Sequence, residues 1–309
     1  MTQPSNARMI VRVIVLLAGV GLANVSLATY SIVACEANTG RCGVAVATHN
    51  LAVGNSVPFA QARIGAGVSQ LETNPHHAST VLAALAAGST AAEALAQALE
   101  RDGEYPDGAG EELRQLAVVR FGGDAAAFTG QQAGAVAGHR TTGGISVQGN
   151  GLATSAVLGA MQRVFGDTEG PLGHRLLTAL EAGLAEGGQT IGITSVALLV
   201  ATPEGWPLDT DLRVDFAPGT AMTELRTAYD ASVARTLIFR AERAMHVDDR
   251  DLAAELMERA LVLAPTWDRI WLKAAHLATA MGDDTAASRY RREFTRLNPV
   301  WAEQLAEGP

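Results

Sequence analysis

Thr29-Tyr-Ser-Ile-Val-Ala-Cys35 and Gly43-Val-Ala-Val-Ala-Thr48 are two runs of strand length, rich in β-branched and small residues. Between them lie Cys42 and the stretch Glu36-Ala-Asn-Thr-Gly-Arg41, whose Asn38-Thr39-Gly40 is turn chemistry. The pattern predicts a β-hairpin with Thr29 at the start of its first strand. Cys35 and Cys42, the only cysteines of the chain, sit symmetrically about the turn. Residues so placed face each other at roughly 4.5–5.5 Å between Cα atoms, within disulfide range. The alternatives are two buried free thiols, or a two-cysteine metal site lacking its other ligands. Export to an oxidising compartment favours the disulfide, as a staple and not a redox centre.

Upstream of the hairpin the chain reads as a secretory signal. Arg8 and Arg12 give a positive start, and Val13 to Ala23 is an apolar run too short to span a bilayer comfortably. Ser26-Leu27-Ala28 then puts small residues at the −3 and −1 positions of a cleavage site. Residues 1–28 are therefore expected to be a signal peptide, the mature protein to be periplasmic or secreted, and no membrane attachment to remain after cleavage. Loss of the two arginines takes the formal charge from −9 to −11. Nucleic-acid phosphates would repel such a surface, so nucleic acid is not an expected partner.

Downstream, strand-like runs cover 64–69, 116–121, 125–128, 144–148 and 194–200. Helical spacing covers 78–101, interrupted at Gly88-Ser89-Thr90, and then 153–165 and 173–186. Strands and helices in this order imply layered α+β structure with sheets inside and helices outside. After about residue 230 the pattern is helical throughout. Leu263-Ala-Pro265-Thr-Trp267 recurs as Leu297-Asn-Pro299-Val-Trp301, 34 residues later, and Asp249/Asp283 and Ala253/Ala287 match at the same offset. A 34-residue helical period ending in proline resembles the tetratricopeptide repeat. Two such units are few for a free-standing array, so this segment is expected to pack on the first domain, to self-associate, or to hold a protein partner.

A threonine freed at the N-terminus joins two functions in one residue. Its hydroxyl is the nucleophile, and its α-amine, with a pKa of roughly 7.7–8.0, accepts the hydroxyl proton near neutral pH. The plain alternative is that Thr29 is merely an acceptable residue after a cleavage point. The hairpin behind it, which would anchor the terminus in a sheet, favours the chemical reading. Acyl transfer also needs a donor at the developing oxyanion. Asn150 is the expected donor, with a turn-forming asparagine as the alternative, and His139 is a candidate substrate contact or polar partner for the amine. His49 and Asn50 end the second hairpin strand and are candidate substrate contacts. Adjacent His76 and His77 lack metal-ligand spacing, and the glycine pairs Gly65/Gly67 and Gly149/Gly151 lack the rest of a phosphate loop. No cofactor and no metal is expected.

Thr29-Tyr-Ser-Ile-Val-Ala34, Gly43-Val-Ala-Val-Ala47, Leu51-Ala-Val-Gly54, Val57-Pro58, Ala137-Gly-His-Arg140 and Ser146-Val-Gln-Gly-Asn150 resemble, in order and spacing, the domain-of-unknown-function 1028 family. Gln70 with Asn74-Pro75, and Leu212-Arg-Val-Asp215, also fit. The resemblance covers roughly 29–228. It implies a four-layer αββα sandwich of the Ntn-hydrolase (N-terminal nucleophile) kind, with Gln70 and Gln148 added as substrate-binding candidates; the repeat-like pattern beyond it makes residues 229–309 a separate tetratricopeptide-like helical domain. Around Gln189-Thr-Ile191-Gly-Ile-Thr-Ser195 the family pattern implies an Asp-x-Arg-Gly-x-Gln-Ser-like run. Gln189 and Ile191 replace its charged pair.

Two functions follow as expectations. The first is an N-terminal-nucleophile amidohydrolase that cleaves a small amide or peptide-like substrate through an acyl-enzyme on Thr29. The second is a catalytically inactive module of the same fold that recruits a protein or cell-wall partner through its helical tail. The departures at Gln189 and Ile191 motivate the second.

Overall fold

In the computed structural model, which describes residues 28–205 and 208–307, the opening hairpin forms as read. β1 (Thr29–Cys35) and β2 (Cys42–Thr48) pair antiparallel, from Thr29 opposite Thr48 to Cys35 opposite Cys42. Gly40 closes the turn in the left-handed region, φ 73°, and Cys35 and Cys42 are joined by a disulfide. The expected signal peptide lies outside the described residues except for Ala28.

Around the hairpin a six-stranded antiparallel sheet is built in the order β10-β9-β2-β1-β8-β7. Its other members are β7 (Gly138–Thr142), β8 (Ile145–Asn150), β9 (Ser195–Ala201) and β10 (Thr210–Val214). A second antiparallel sheet runs β3 (Pro58–Gln61), β4 (Gly65–Leu71), β5 (Arg114–Arg120), β6 (Ala125–Thr129). The mixed α+β expectation holds, with three strands the sequence reading omitted: β3, β7 and β10. All three are sheet edges.

Strand alternation sorts the side chains into layers. Tyr30, Ile32 and Ala34 join a core with α3 (Ala156–Asp167) and α4 (Leu172–Ala185). Val33, Val44 and Val46 meet Ala66, Val68, Ala117 and Val119 of the second sheet. Leu116, Val118 and Phe59 pack beneath α1 (His76–Ala86) and α2 (Ala91–Glu100). Thr90 caps α2 in a reciprocal capping box with Glu93, which explains the break at Gly88-Ser89-Thr90. The pair Gly65/Gly67 has a packing role: a Cβ on Gly67 would lie 2.4 Å from the Phe59 ring and 2.5 Å from the Ala117 carbonyl.

The helical tail starts inside one continuous helix, α5 (Ala221–His246), which crosses position 228/229. Its first half, through Tyr229, joins the core of the larger sheet. Its second half, from Ala234, joins a separate core with α6 (Arg250–Leu263), α7 (Asp268–Met281) and α8 (Asp284–Leu297). Asp249 and Asp283, the matched pair, each cap a helix, accepting from Leu252 N at 3.2 Å and Ala286 N at 2.8 Å. Ala253 and Ala287 are both fully buried. α9 (Pro299–Glu307) completes the described chain.

Candidate active site at the start of the central strand

β1 lies at the centre of the larger sheet, so Thr29 is held from both sides, opposite Thr48 on β2 and Asn150 on β8. It is 3% exposed. Ser31 reaches Gln70 on the facing sheet and Val33 packs between the sheets, so alternation places the Thr29 side chain on the same inner face.

Thr29 Oγ lies 3.0 Å from Thr48 Oγ. Thr48 Oγ donates to the Ala28 carbonyl at 2.8 Å, which leaves its lone pairs for Thr29 Oγ–H and for the Asn50 N–H at 3.2 Å. A carbonyl and two hydroxyls thus stand together at the Ala28–Thr29 bond. Thr29 N donates to Asn150 Oδ1 at 3.1 Å. Asn150 Nδ2 donates to Gln115 Oε1 at 2.9 Å, and Gln70 Nε2 donates to the same oxygen at 2.6 Å. Beyond Gln70 the bonds run through Ser31 to Gln148 and Ser146. All of these side chains are buried and none is charged. This neutral chain of amides and hydroxyls fills one end of the space between the sheets.

Asn150 stands next to Thr29. Its oxygen accepts from the Thr29 nitrogen and its NH2, the group expected to serve as the donor, is taken by Gln115. His139 does not touch Thr29. Its Nδ1 pairs with Thr129 Oγ at 2.9 Å at the rim, three residues removed from Thr29 by way of Thr129, Gln115 and Asn150. Burial holds its pKa below the ordinary histidine range. Gln70 and Gln148 lie in the network, with their amides already engaged by protein groups. His49 and Asn50 are exposed beyond the end of β2. The His49 ring lies 3.3 Å from Thr194 Oγ, and the Asn50 carbonyl accepts from Ser195 Oγ at 2.6 Å.

Thr48, Ser31, Gln115 and Thr129 were missed by sequence reasoning. Only Thr48 carried a signal, as the residue opposite Thr29 in a symmetric hairpin. Gln115 lies at the polar start of a strand whose apolar run begins one residue later. At the departure from the family pattern, Gln189 is buried and its Nε2 donates to the Gly192 carbonyl, while Ile191 is 43% exposed. The segment adjoins the end of β8 through the Leu152–Gln189 bridge and a bond from Thr190 N to the Gly151 carbonyl at 3.1 Å.

A family model described as a family of unknown function, DUF1028, matches residues 29–225. Among solved structures the chain is similar to the crystal structure of protein SPO2555 from Silicibacter pomeroyi, which carries the same family designation. The two are 30% identical, the match covers 73% of this chain and 93% of that one, and the TM-score is 0.59. No curated protein is matched.

Proposed function

The chain belongs to the DUF1028 family, and from that premise we propose that it is an exported N-terminal-nucleophile amidohydrolase that works through Thr29 once the bond after Ala28 is cut. The observation that carries this reading is the contact set at that bond: Thr29 Oγ 3.0 Å from Thr48 Oγ, and Thr48 Oγ donating to a carbonyl at 2.8 Å. The layering of helices about two antiparallel sheets, with the nucleophile at the start of a central strand, supports the superfamily assignment. The Cys35–Cys42 disulfide supports an oxidising compartment.

With Thr29 first in the chain, its α-amine takes the hydroxyl proton as Oγ attacks the carbonyl carbon of an amide. Asn150 Oδ1 holds one N–H of the amine and so orients its lone pair. The oxygen of the tetrahedral adduct takes the place of the Ala28 carbonyl oxygen and accepts from Thr48 Oγ–H, a donor worth about 2.7–4 kcal/mol of barrier. The C–N bond then breaks, the proton passes from the α-amine to the leaving nitrogen, and an ester remains on Thr29. Water, deprotonated by the same amine, hydrolyses that ester and restores free threonine. The 34-residue correspondence in the tail supports a tetratricopeptide-like role in holding a protein partner.

The test is a protein whose first residue is Thr29, incubated with a panel of amides and short peptides. Mass spectrometry should find an acyl group on Thr29 and a released amine, and Thr29→Ala should give neither. Turnover that survives Thr29→Ala overturns the assignment. So does exported protein whose first residue is not Thr29.

A further inference from the structure

Two backbone carbonyls decide which way the central amides of the inter-sheet network point. One end of the Gln115 side chain lies 3.1 Å from the Gly138 carbonyl, 3.0 Å from the Gly149 carbonyl and 3.0 Å from Thr129 Oγ. A backbone carbonyl can only accept, so that end is the NH2. Oε1 must then face the other way, where Asn150 and Gln70 have to present their own NH2 groups to it, at 2.9 and 2.6 Å. With its NH2 committed, Asn150 turns Oδ1 to Thr29 N, 3.1 Å away. Gln70 by the same logic turns Oε1 to the Ser31 hydroxyl at 2.7 Å.

The geometry points to Gln115 as a positioning residue for the Thr29 amine: from the facing sheet it locks the Asn150 amide with its oxygen toward that nitrogen. This rests on the reading of Thr29 as an N-terminal nucleophile. An amide is symmetric enough in shape to sit either way round, and at Asn150 the reversed orientation would aim an NH2 at the amine. An acceptor there favours the protonated amine and raises its pKa, while a donor does the reverse and competes for the lone pair that must take the hydroxyl proton. Gln115 therefore sets both the protonation and the direction of the catalytic base, through Asn150 and without touching substrate.

Lys273 is the only lysine of the chain, so protein beginning at Thr29 carries two amines, one at the site and one distant internal standard. Trace acetylation across pH, read by peptide mass spectrometry, titrates both in one tube. In Gln115→Met the Thr29 midpoint should fall by roughly half a unit or more while that of Lys273 stays. Because Gln115 acts through Asn150, the double variant Gln115→Met/Asn150→Ala should sit no lower than Asn150→Ala alone. An unchanged Thr29 midpoint in Gln115→Met overturns the proposal, and so do fully additive shifts in the double variant. The unsubstituted protein gives a second reading that needs no variant to fold. The side-chain NH2 protons of Asn150, followed by 15N NMR, should be protected from exchange; exchange at the rate of a free amide overturns the proposal. Neither readout needs turnover, so a responsive amine in a protein that cleaves no amide would sink the hydrolase reading and leave the positioning role standing.

Discussion

Adjacent residues on the second sheet serve two buried polar clusters of opposite character. Gln70 and Gln115, register partners, face the larger sheet and the Thr29 nitrogen. Ser69 and Arg114, each one residue away, face outward beneath α1. There Ser69 Oγ accepts from Asn74 N at 3.1 Å and meets His77 Nδ1 at 3.0 Å. His77 Nε2 lies 2.9 Å from Asp102 Oδ1 but is not aligned for a hydrogen bond. A serine, a histidine and an aspartate in a row suggest a nucleophile relay, yet such a relay needs a carboxylate that orients the imidazole. Here the Asp102 carboxylate is taken by Arg114 Nε at 2.8 Å and Asn74 Nδ2 at 2.9 Å, and a second carboxylate, Asp107, closes on Arg114 at 2.8 Å. Ser69, His77, Asp102 and Arg114 are all buried. The charged cluster pairs both carboxylates with Arg114 and ties the 102–107 loop to the sheet, while His77 Nε2 keeps no hydrogen bond. The neutral one ends at Thr29, where the proposed cut after Ala28 would free an amine. Residue types in contact do not make a reactive site: beside Ser69 the carboxylate that would orient the imidazole is committed to Arg114 and Asn74.

The sharpest way to break this comparison is to delete each hydroxyl. Thr29→Ala should abolish acyl-adduct formation and turnover with the fold intact. Ser69→Ala should leave the chemistry at Thr29 in place and lower stability by about 1–3 kcal/mol, through the unpaired Asn74 N–H and His77 nitrogen. Turnover that depended on Ser69 instead would reverse the roles assigned to the two clusters. Next in size is the charge itself. Arg114→Met strands the Asp102 carboxylate in the interior, and breaking a buried pair from one side costs about 3–5 kcal/mol. Urea unfolding would register the loss, and a change below about 1 kcal/mol would show that the cluster is better hydrated than its burial implies.

Neither cluster was legible as a whole: the neutral one is assembled between the two sheets, and the charged one joins β4 and β5 to α1 and the 102–107 loop. The hairpin, the disulfide and the helix break at Gly88-Ser89-Thr90 were legible because each is local. A turn, a symmetric pair and a capping residue all act within a few positions. β3, β7 and β10 were not legible because edge strands have weaker burial to impose a pattern. β7 is Gly-His-Arg-Thr-Thr with side chains mostly exposed, and β3 begins with proline, tolerated where no ladder bond is required. Thr29, Asn150, Gln70 and Gln148 were found as separate motifs. Gln115, on which they converge, has no motif, since its role comes from two glycine carbonyls 23 and 34 residues along the chain. The direction of the Asn150 amide could not be read without those carbonyls.

The disulfide closes the opposite end of β1 from Thr29, and so separates stability from chemistry. In Cys35→Ser/Cys42→Ser the unfolded chain regains the freedom of a short loop, worth about 2–3 kcal/mol. The Thr29 amine should titrate as before, because the strand is still paired on both sides. A shifted amine would mean that the staple sets the register at the far end of the strand.

The smallest effect expected distinguishes the two clusters by pH. Burial lowers the His77 pKa, outweighing the neighbouring Asp102 carboxylate, with Arg114 and His76 adding to the lowering. In the unfolded chain the imidazole returns to its ordinary pKa of about 6.5. Below that pH the unfolded state binds the proton first, so stability is full above about 6.5 and is lost as pH falls toward the depressed native value. His139, also lowered by burial, contributes a slope of the same sign from the rim of the Thr29 network. Urea unfolding at pH 7.5 and 5.5, on the parent, His77→Gln and His139→Gln, apportions the loss. The more enclosed His77 should account for the larger share, so His77→Gln should flatten the pH dependence more than His139→Gln does. The opposite ranking would mean that His77 takes up its proton in the folded state, completing a charge-balanced cluster with Asp102, Asp107 and Arg114, and that the outward cluster is the one poised to titrate.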